Sequence, residues 1–195
     1  QHISARESVE FIRQAQRCGV PVTAELTPHH LALTDESAAS GDSNFKMNPP
    51  VRTEADRQAL IRAILDGTVS CFATDHAPHR AVDKALGFLK APFGVIGLET
   101  AIGVTYTHLV AAGLMDPVTW IRRWTLGPAR VLGLPPPSLA IGAVADLALL
   151  DLRQPYRVDR NAMQSKSRNT PFHGHTLTGR CVMTWMGGRL TYRAE

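Results

Sequence analysis

Two short apolar runs constrain this chain more than any other feature. Val20-Pro-Val-Thr-Ala-Glu-Leu26 and Val69-Ser-Cys-Phe-Ala-Thr74 are too short for helices and rich in β-branched residues, so both read as buried strands. An amphipathic stretch precedes each. Before the first, Val9, Ile12 and Ala15 recur at helical spacing. Ser4 stands there as N-cap with Glu7 three residues on, and Gly19 as the stop. Between the runs, Thr53 is placed to cap a helix whose Leu60, Ile61 and Ile64 form an apolar stripe ending at Gly67. Strand, helix and strand in that order favour parallel neighbours in an α/β unit. With 195 residues, 44% of them hydrophobic, a disordered chain is excluded and a substantial core is affordable.

Past residue 95 the pattern turns helical, with helices expected at 96–113, 116–124 and 127–133. Pro135-Pro136-Pro137 cannot lie within a helix and marks a boundary. Ala145–Asp151 and Arg180–Trp185 then read as strands, and Gly187-Gly188 turns into a third at Arg189–Tyr192. The expected organisation is an α/β unit over 1–138 and a small β module over 139–195. Three widely spaced cysteines fit reduced thiols and a cytoplasmic protein. No apolar run nears the roughly 20 residues that a membrane-spanning helix needs. The formal charge of +4 is uneven, since eight basic residues and two acidic ones fall in 152–195. No aromatic stacking pattern accompanies them, so solvated surface is preferred over a nucleic-acid site.

The chemistry-bearing residues gather at the ends of the apolar runs. His2 opens the chain, Thr27-Pro-His29-His30 follows one strand, and Thr74-Asp75-His76-Ala-Pro-His79 follows the other. Ligands and catalytic groups collect at the C-terminal ends of parallel strands. Imidazole and carboxylate together suit zinc or a similar divalent ion. For His29, His30 and His76 the preferred role is structural, bracing loops. Glu25, inside a strand, is read as the partner of a buried polar group.

A longer set of motifs occurs in order: His2-Ile-Ser, Thr23-Ala-Glu-Leu-Thr-Pro-His-His-Leu31, Lys46-Met-Asn-Pro-Pro-Val-Arg52, Ala73-Thr-Asp-His-Ala-Pro-His79, Ala91-Pro-Phe-Gly-Val-Ile-Gly-Leu-Glu-Thr100 and Ser167-Arg-Asn-Thr-Pro-Phe172. Together they resemble class I (PyrC-type) dihydroorotases of the amidohydrolase superfamily, over essentially the whole chain. The resemblance implies a distorted (β/α)8 TIM-like barrel beside a small β-sandwich, of which this chain supplies strands 6–8 and part of the sandwich. An eight-stranded barrel takes about 250 residues. The family's strand-1 His-x-His pair, its bridging acidic ligand and its strand-5 histidine have no counterpart here.

Carried over by resemblance, His2 ligates one metal of a binuclear zinc pair, and Asp75 ligates the other and serves as the acid/base. Asn48 and His79 bind substrate, and Phe93 and Gly94 belong to a loop that meets the pyrimidine ring through its backbone. The implied reaction is the reversible hydrolysis of L-dihydroorotate to N-carbamoyl-L-aspartate in pyrimidine synthesis. The implied partner is that small-molecule substrate, with homodimerisation or association with aspartate transcarbamoylase left open. The rivals are another cyclic amidohydrolase, such as an allantoinase or dihydropyrimidinase, and a non-catalytic subunit scaffolding aspartate transcarbamoylase. Asn48, His79 and the Phe93-Gly94 loop favour dihydroorotase.

Overall fold

The computed structural model describes residues 1–194. Helix α1 (Arg6–Arg17) buries Val9 and half-buries Ile12, and Gly19 follows it at φ +77°. The expected Ser4 cap does not form. Ser4 Oγ is occupied by Arg52 Nε, which donates to it at 2.9 Å. The Arg6 N–H, one of the helix's unpaired donors, goes instead to Asp56 Oδ1 at 3.0 Å. A partner from a distant helix has displaced the local one.

Strand β1 (Glu25–Leu26) pairs in parallel with β2 (Cys71–Phe72). The ladder is flanked by Ser70 N–H donating to Ala24 O and Ala73 N–H donating to Leu26 O. Both strands are shorter than the apolar runs that contain them. At the start of the first run, Val20 N–H closes the end of α1 on Ala15 O, and Pro21 has no N–H to donate. At the start of the second, Val69 N–H is held by Ala63 O. On the other side of β1, Ile3 N–H donates to Glu25 O, which sets the His2–Ile3 segment beside it.

Between the strands lie α2 (Pro28–Ala32), α3 (Asp35–Ala38) and α4 (Glu54–Asp66). Thr53 caps α4 by accepting from Asp56 N–H, and Gly67 ends it in the left-handed conformation at φ +90°. Leu60, Ile61 and Ile64 are buried, as their spacing requires. With Val9, Leu26, Leu31, Phe72 and Trp120 they form the larger of two apolar cores among the described residues.

After β2 come two short helices, α5 (Ala81–Lys84) and α6 (Gly87–Lys90). The helix expected over 96–113 is shorter and irregular. Val95 bridges to His76, Ile96 N–H donates to Asn169 O, and α7 begins only at Ala101. It runs to Thr105 and continues as a π-helical turn over Tyr106–Val110. Helices α8 (Pro117–Trp124, capped by Asp116) and α9 (Leu126–Leu132) follow. Trp124 stacks on Phe72 of β2 at 5.1 Å between ring centroids, so α8 supports the strand from behind.

The chain ends in an antiparallel sheet of β3 (Leu147–Arg157), β4 (Thr176–Met186) and β5 (Arg189–Arg193). The connection between β3 and β4 returns to the α/β layer. Val158 and Phe172 on it, with Leu177 of β4, share the second core with Leu33, Met47, Val51, Val95 and Val104. The fold is mixed α/β.

Candidate functional site

His2, on the segment beside β1, lies against Glu25, and Asp75 follows β2 on the other side of β1. His2 N–H donates to Glu25 Oε1 at 3.1 Å, and its ring Nδ1 lies 3.5 Å from the same oxygen. Glu25 thus holds the His2 backbone by hydrogen bond and lies close to its ring. Burial raises the Asp75 carboxyl above the usual carboxylate range; the nearby His2 opposes this and Glu25 adds to it. Among the described residues, His2 (φ +35°) and Asp75 (φ +47°) are the two non-glycine residues with positive φ. Such backbone costs about 1–3 kcal/mol, and functional sites are where it concentrates.

His29 and His30 follow β1 and do different things. His30 Nε2 donates to Pro49 O at 2.8 Å, so Nδ1 is the acceptor and takes the Thr27 hydroxyl at 2.7 Å. A neutral ring satisfies both bonds, and burial, only partly opposed by the Pro49 carbonyl, holds the imidazole down to about 4. His30 thus braces the loop that carries Asn48. His29 is 1% exposed, and its Nε2 finds no partner among the described residues. Burial pushes it well below the usual imidazole range, with His30 and His2 adding to the effect. His76 Nδ1 accepts from Gly97 N–H at 3.1 Å and from Leu98 N–H at 3.3 Å, pinning that turn.

Asn48 is exposed, next to Pro49, whose carbonyl His30 holds. His79, Phe93 and Gly94 come together, but on one another: His79 Nε2 donates to Phe93 O at 2.7 Å. An anion can therefore be met only at Nδ1, with the ring protonated. Gly94 N–H donates to Lys46 O at 2.9 Å, and Gly94 O accepts from Lys84 Nζ and Asn169 Nδ2, each at 3.1 Å. Gly94 sits at φ +123°, and a Cβ there would lie 2.6 Å from Ala77 Cβ and 3.0 Å from His79 Nε2. Only glycine fits both the backbone conformation and the space.

Lys46, Lys84 and Asn169 support this site, and the sequence reading assigned them nothing. Asn169 sits in one of the motifs, and both lysines are 9% exposed or less, which is unusual for the residue type. Burial and the neighbouring Lys46 charge hold the Lys84 ammonium down to about 8 against the pull of Asp42.

The donor set of His2 and Asp75, with Glu25 behind His2, has the chemistry zinc prefers. A catalytic zinc takes about three protein ligands. No group of three His, Cys, Asp or Glu that could hold an ion occurs among the described residues. Any zinc here needs further ligands from elsewhere.

A sequence model of the amidohydrolase family matches residues 1–191. The chain is 50% identical over 191 residues to a dihydroorotase of Bacillus caldolyticus, covering 98% of this chain and 45% of that one. With a dihydroorotase of Enterococcus faecalis the identity is 46% over 194 residues, or 100% of this chain and 45% of the relative. The chain thus spans about half the length of these curated relatives. Among solved structures, an L-hydantoinase (dihydropyrimidinase) from Arthrobacter aurescens superposes with a TM-score of 0.92 at 31% identity, over 100% of this chain and 44% of its own. A D-hydantoinase from a Thermus species shares the fold at 23% identity, with a TM-score of 0.90. With a family match across nearly its whole length, the chain belongs to the amidohydrolase family.

Proposed function

We propose that this chain is the C-terminal part of a dihydroorotase, acting on L-dihydroorotate and N-carbamoyl-L-aspartate in pyrimidine synthesis. Its extended segments at His2, β1 and β2 correspond to barrel strands 6, 7 and 8, and 139–195 to part of the accompanying β module. One observation carries the reading. The two residues singled out by motif as metal ligands are also, among the described residues, the two non-glycine residues held at positive φ, on the segments that flank β1 on either side. Identities of 46–50% to dihydroorotases support the substrate class.

His2 and Asp75 would each contribute to holding a zinc pair. When bound, zinc would polarise the ring carbonyl and make attacking water more acidic. Asp75 accepts the proton as water adds to that carbonyl. As the ring C–N bond breaks, Asp75 returns the proton to the departing nitrogen. His79 meets the substrate carboxylate through Nδ1, and Asn48 pairs with ring amide and carbonyl edges.

The test is Asp75→Asn in a protein of the relatives' full length. The amide keeps the size but cannot take the proton, so kcat should fall by at least about 10²–10⁴-fold. Near-normal kcat with full zinc occupancy would remove Asp75 from the mechanism. The likeness to an L-hydantoinase favours one alternative, a cyclic amidohydrolase of the dihydropyrimidinase kind. Turnover of dihydropyrimidine or hydantoin in preference to dihydroorotate would establish it.

A further inference from the structure

Residues 91–95 form an irregular segment whose peptide carbonyls are all satisfied from outside it. Lys46 Nζ donates to Ala91 O at 2.7 Å, and to Leu89 O just upstream at 3.0 Å. Lys84 Nζ donates to Pro92 O and Gly94 O, each at 3.1 Å. His79 takes Phe93 O, Asn169 shares Gly94 O, and Ala77 N–H takes Val95 O. Buried carbonyls need partners, and without strand or helix pairing these must be side chains or isolated backbone donors. A buried ammonium likewise needs acceptors. Among the described residues neither lysine has a carboxylate within ion-pair distance. The carbonyls are their counter-groups.

Lys46 does more than anchor one loop. Its ammonium lies 4.6 Å from the centre of the Phe93 ring, and its own carbonyl accepts Gly94 N–H. It also stands two residues before Asn48. One residue therefore ties the Asn48 loop to the Phe93-Gly94 loop.

We infer that Lys46 and Lys84 are positioning residues for substrate binding, a paired ammonium clamp that holds the Phe93-Gly94 segment against His79 and in register with Asn48. This rests on the proposed dihydroorotase reading for what the loop binds, but not for the clamp itself. The two lysines touch neither His2 nor Asp75, so losing the clamp should weaken substrate binding while leaving metal binding and the chemical step intact.

Two measurements test this on Lys84→Met, which keeps the length of the side chain without its donors. In this chain, hydrogen exchange at the Gly94 amide should quicken about tenfold, the weight of the one of its two carbonyl bonds that Lys84 makes to Gly94 itself. In a protein of the relatives' length, KM for dihydroorotate should rise about tenfold with kcat within about twofold and zinc content unchanged. A lower melting temperature with Gly94 exchange and KM both unmoved overturns the clamp and leaves the lysines as packing. If Lys84→Met does not fold, Lys84→Gln keeps one carbonyl bond and should show a smaller shift of the same kind; an unchanged KM there is equally fatal. Should the wild-type protein fail to turn over dihydroorotate, the functional reading falls, and Gly94 exchange alone decides the clamp.

Discussion

Thr105→Val is a substitution in which shape is kept and only hydrogen bonding is lost. The Thr105 hydroxyl is fully buried; it donates to Ala101 O at 2.8 Å and accepts two indole N–H groups, Trp120 Nε1 at 3.0 Å and Trp124 Nε1 at 3.1 Å. Valine replaces the oxygen with a methyl group of similar size. The Thr105–Ala101 bond is lost together with the hydroxyl's own desolvation cost, so those effects nearly cancel. The indoles have no such compensation. Trp120 is 0% exposed, and a stranded buried donor costs about 1–3 kcal/mol. Trp124 is only half-buried and can turn partly to water, adding under about 1 kcal/mol. The expected loss is about 1–4 kcal/mol, or a melting temperature lower by about 3–12 °C for a chain of this size. Thr105→Ser keeps the oxygen and loses one methyl group, costing about 1 kcal/mol. Urea unfolding followed by circular dichroism should rank wild type above Ser and Ser above Val, the reverse of what hydrophobic volume alone dictates. In a Trp120→Phe background the Val penalty should shrink by more than half. A Val variant as stable as the Ser variant refutes the reasoning.

Stability should also fall in mild acid. His30 is held down to about 4 in the folded chain but titrates near 6.5 when unfolded, so below about pH 6.5 only the unfolded chain gains the proton. From pH 7 to 5 this removes about 2 kcal/mol, which His30→Gln should abolish; urea midpoints that do not move with pH in the wild type would contradict it. Gly94→Ala should cost roughly 1–3 kcal/mol through its backbone and its clash with Ala77, and in a full-length enzyme should raise KM by displacing His79. The 195-residue chain by itself should open no dihydroorotate ring, since His2 and Asp75 fall short of a complete zinc ligand set. Turnover above a metal-only blank, in purified chain, would overturn that.

What could be read from sequence was local or periodic. Thr53, Gly67 and the Leu60–Ile64 stripe act within a few residues of themselves, so their types alone announce a capped, amphipathic helix. His2 and Asp75 were legible as chemical types at the ends of apolar runs, together with the motifs around them. What failed was settled by partners far along the chain. Ser4 has the right spacing to Glu7 for a cap, yet Arg52, 48 residues on, takes its oxygen. Neither Lys46, although it opens a motif, nor Lys84 could be read as buried, because the carbonyls that hold them belong to a distant loop without helical or strand periodicity. Composition and period therefore determined the α/β class and the ends of α4, because those depend on propensity and burial per turn, while the candidate ligands were given by the resemblance of the motifs. Tertiary structure alone decided how far each strand pairs, which residue caps α1 and what holds the Phe93-Gly94 loop, because a hydrogen bond goes to whichever partner the folded chain brings within reach.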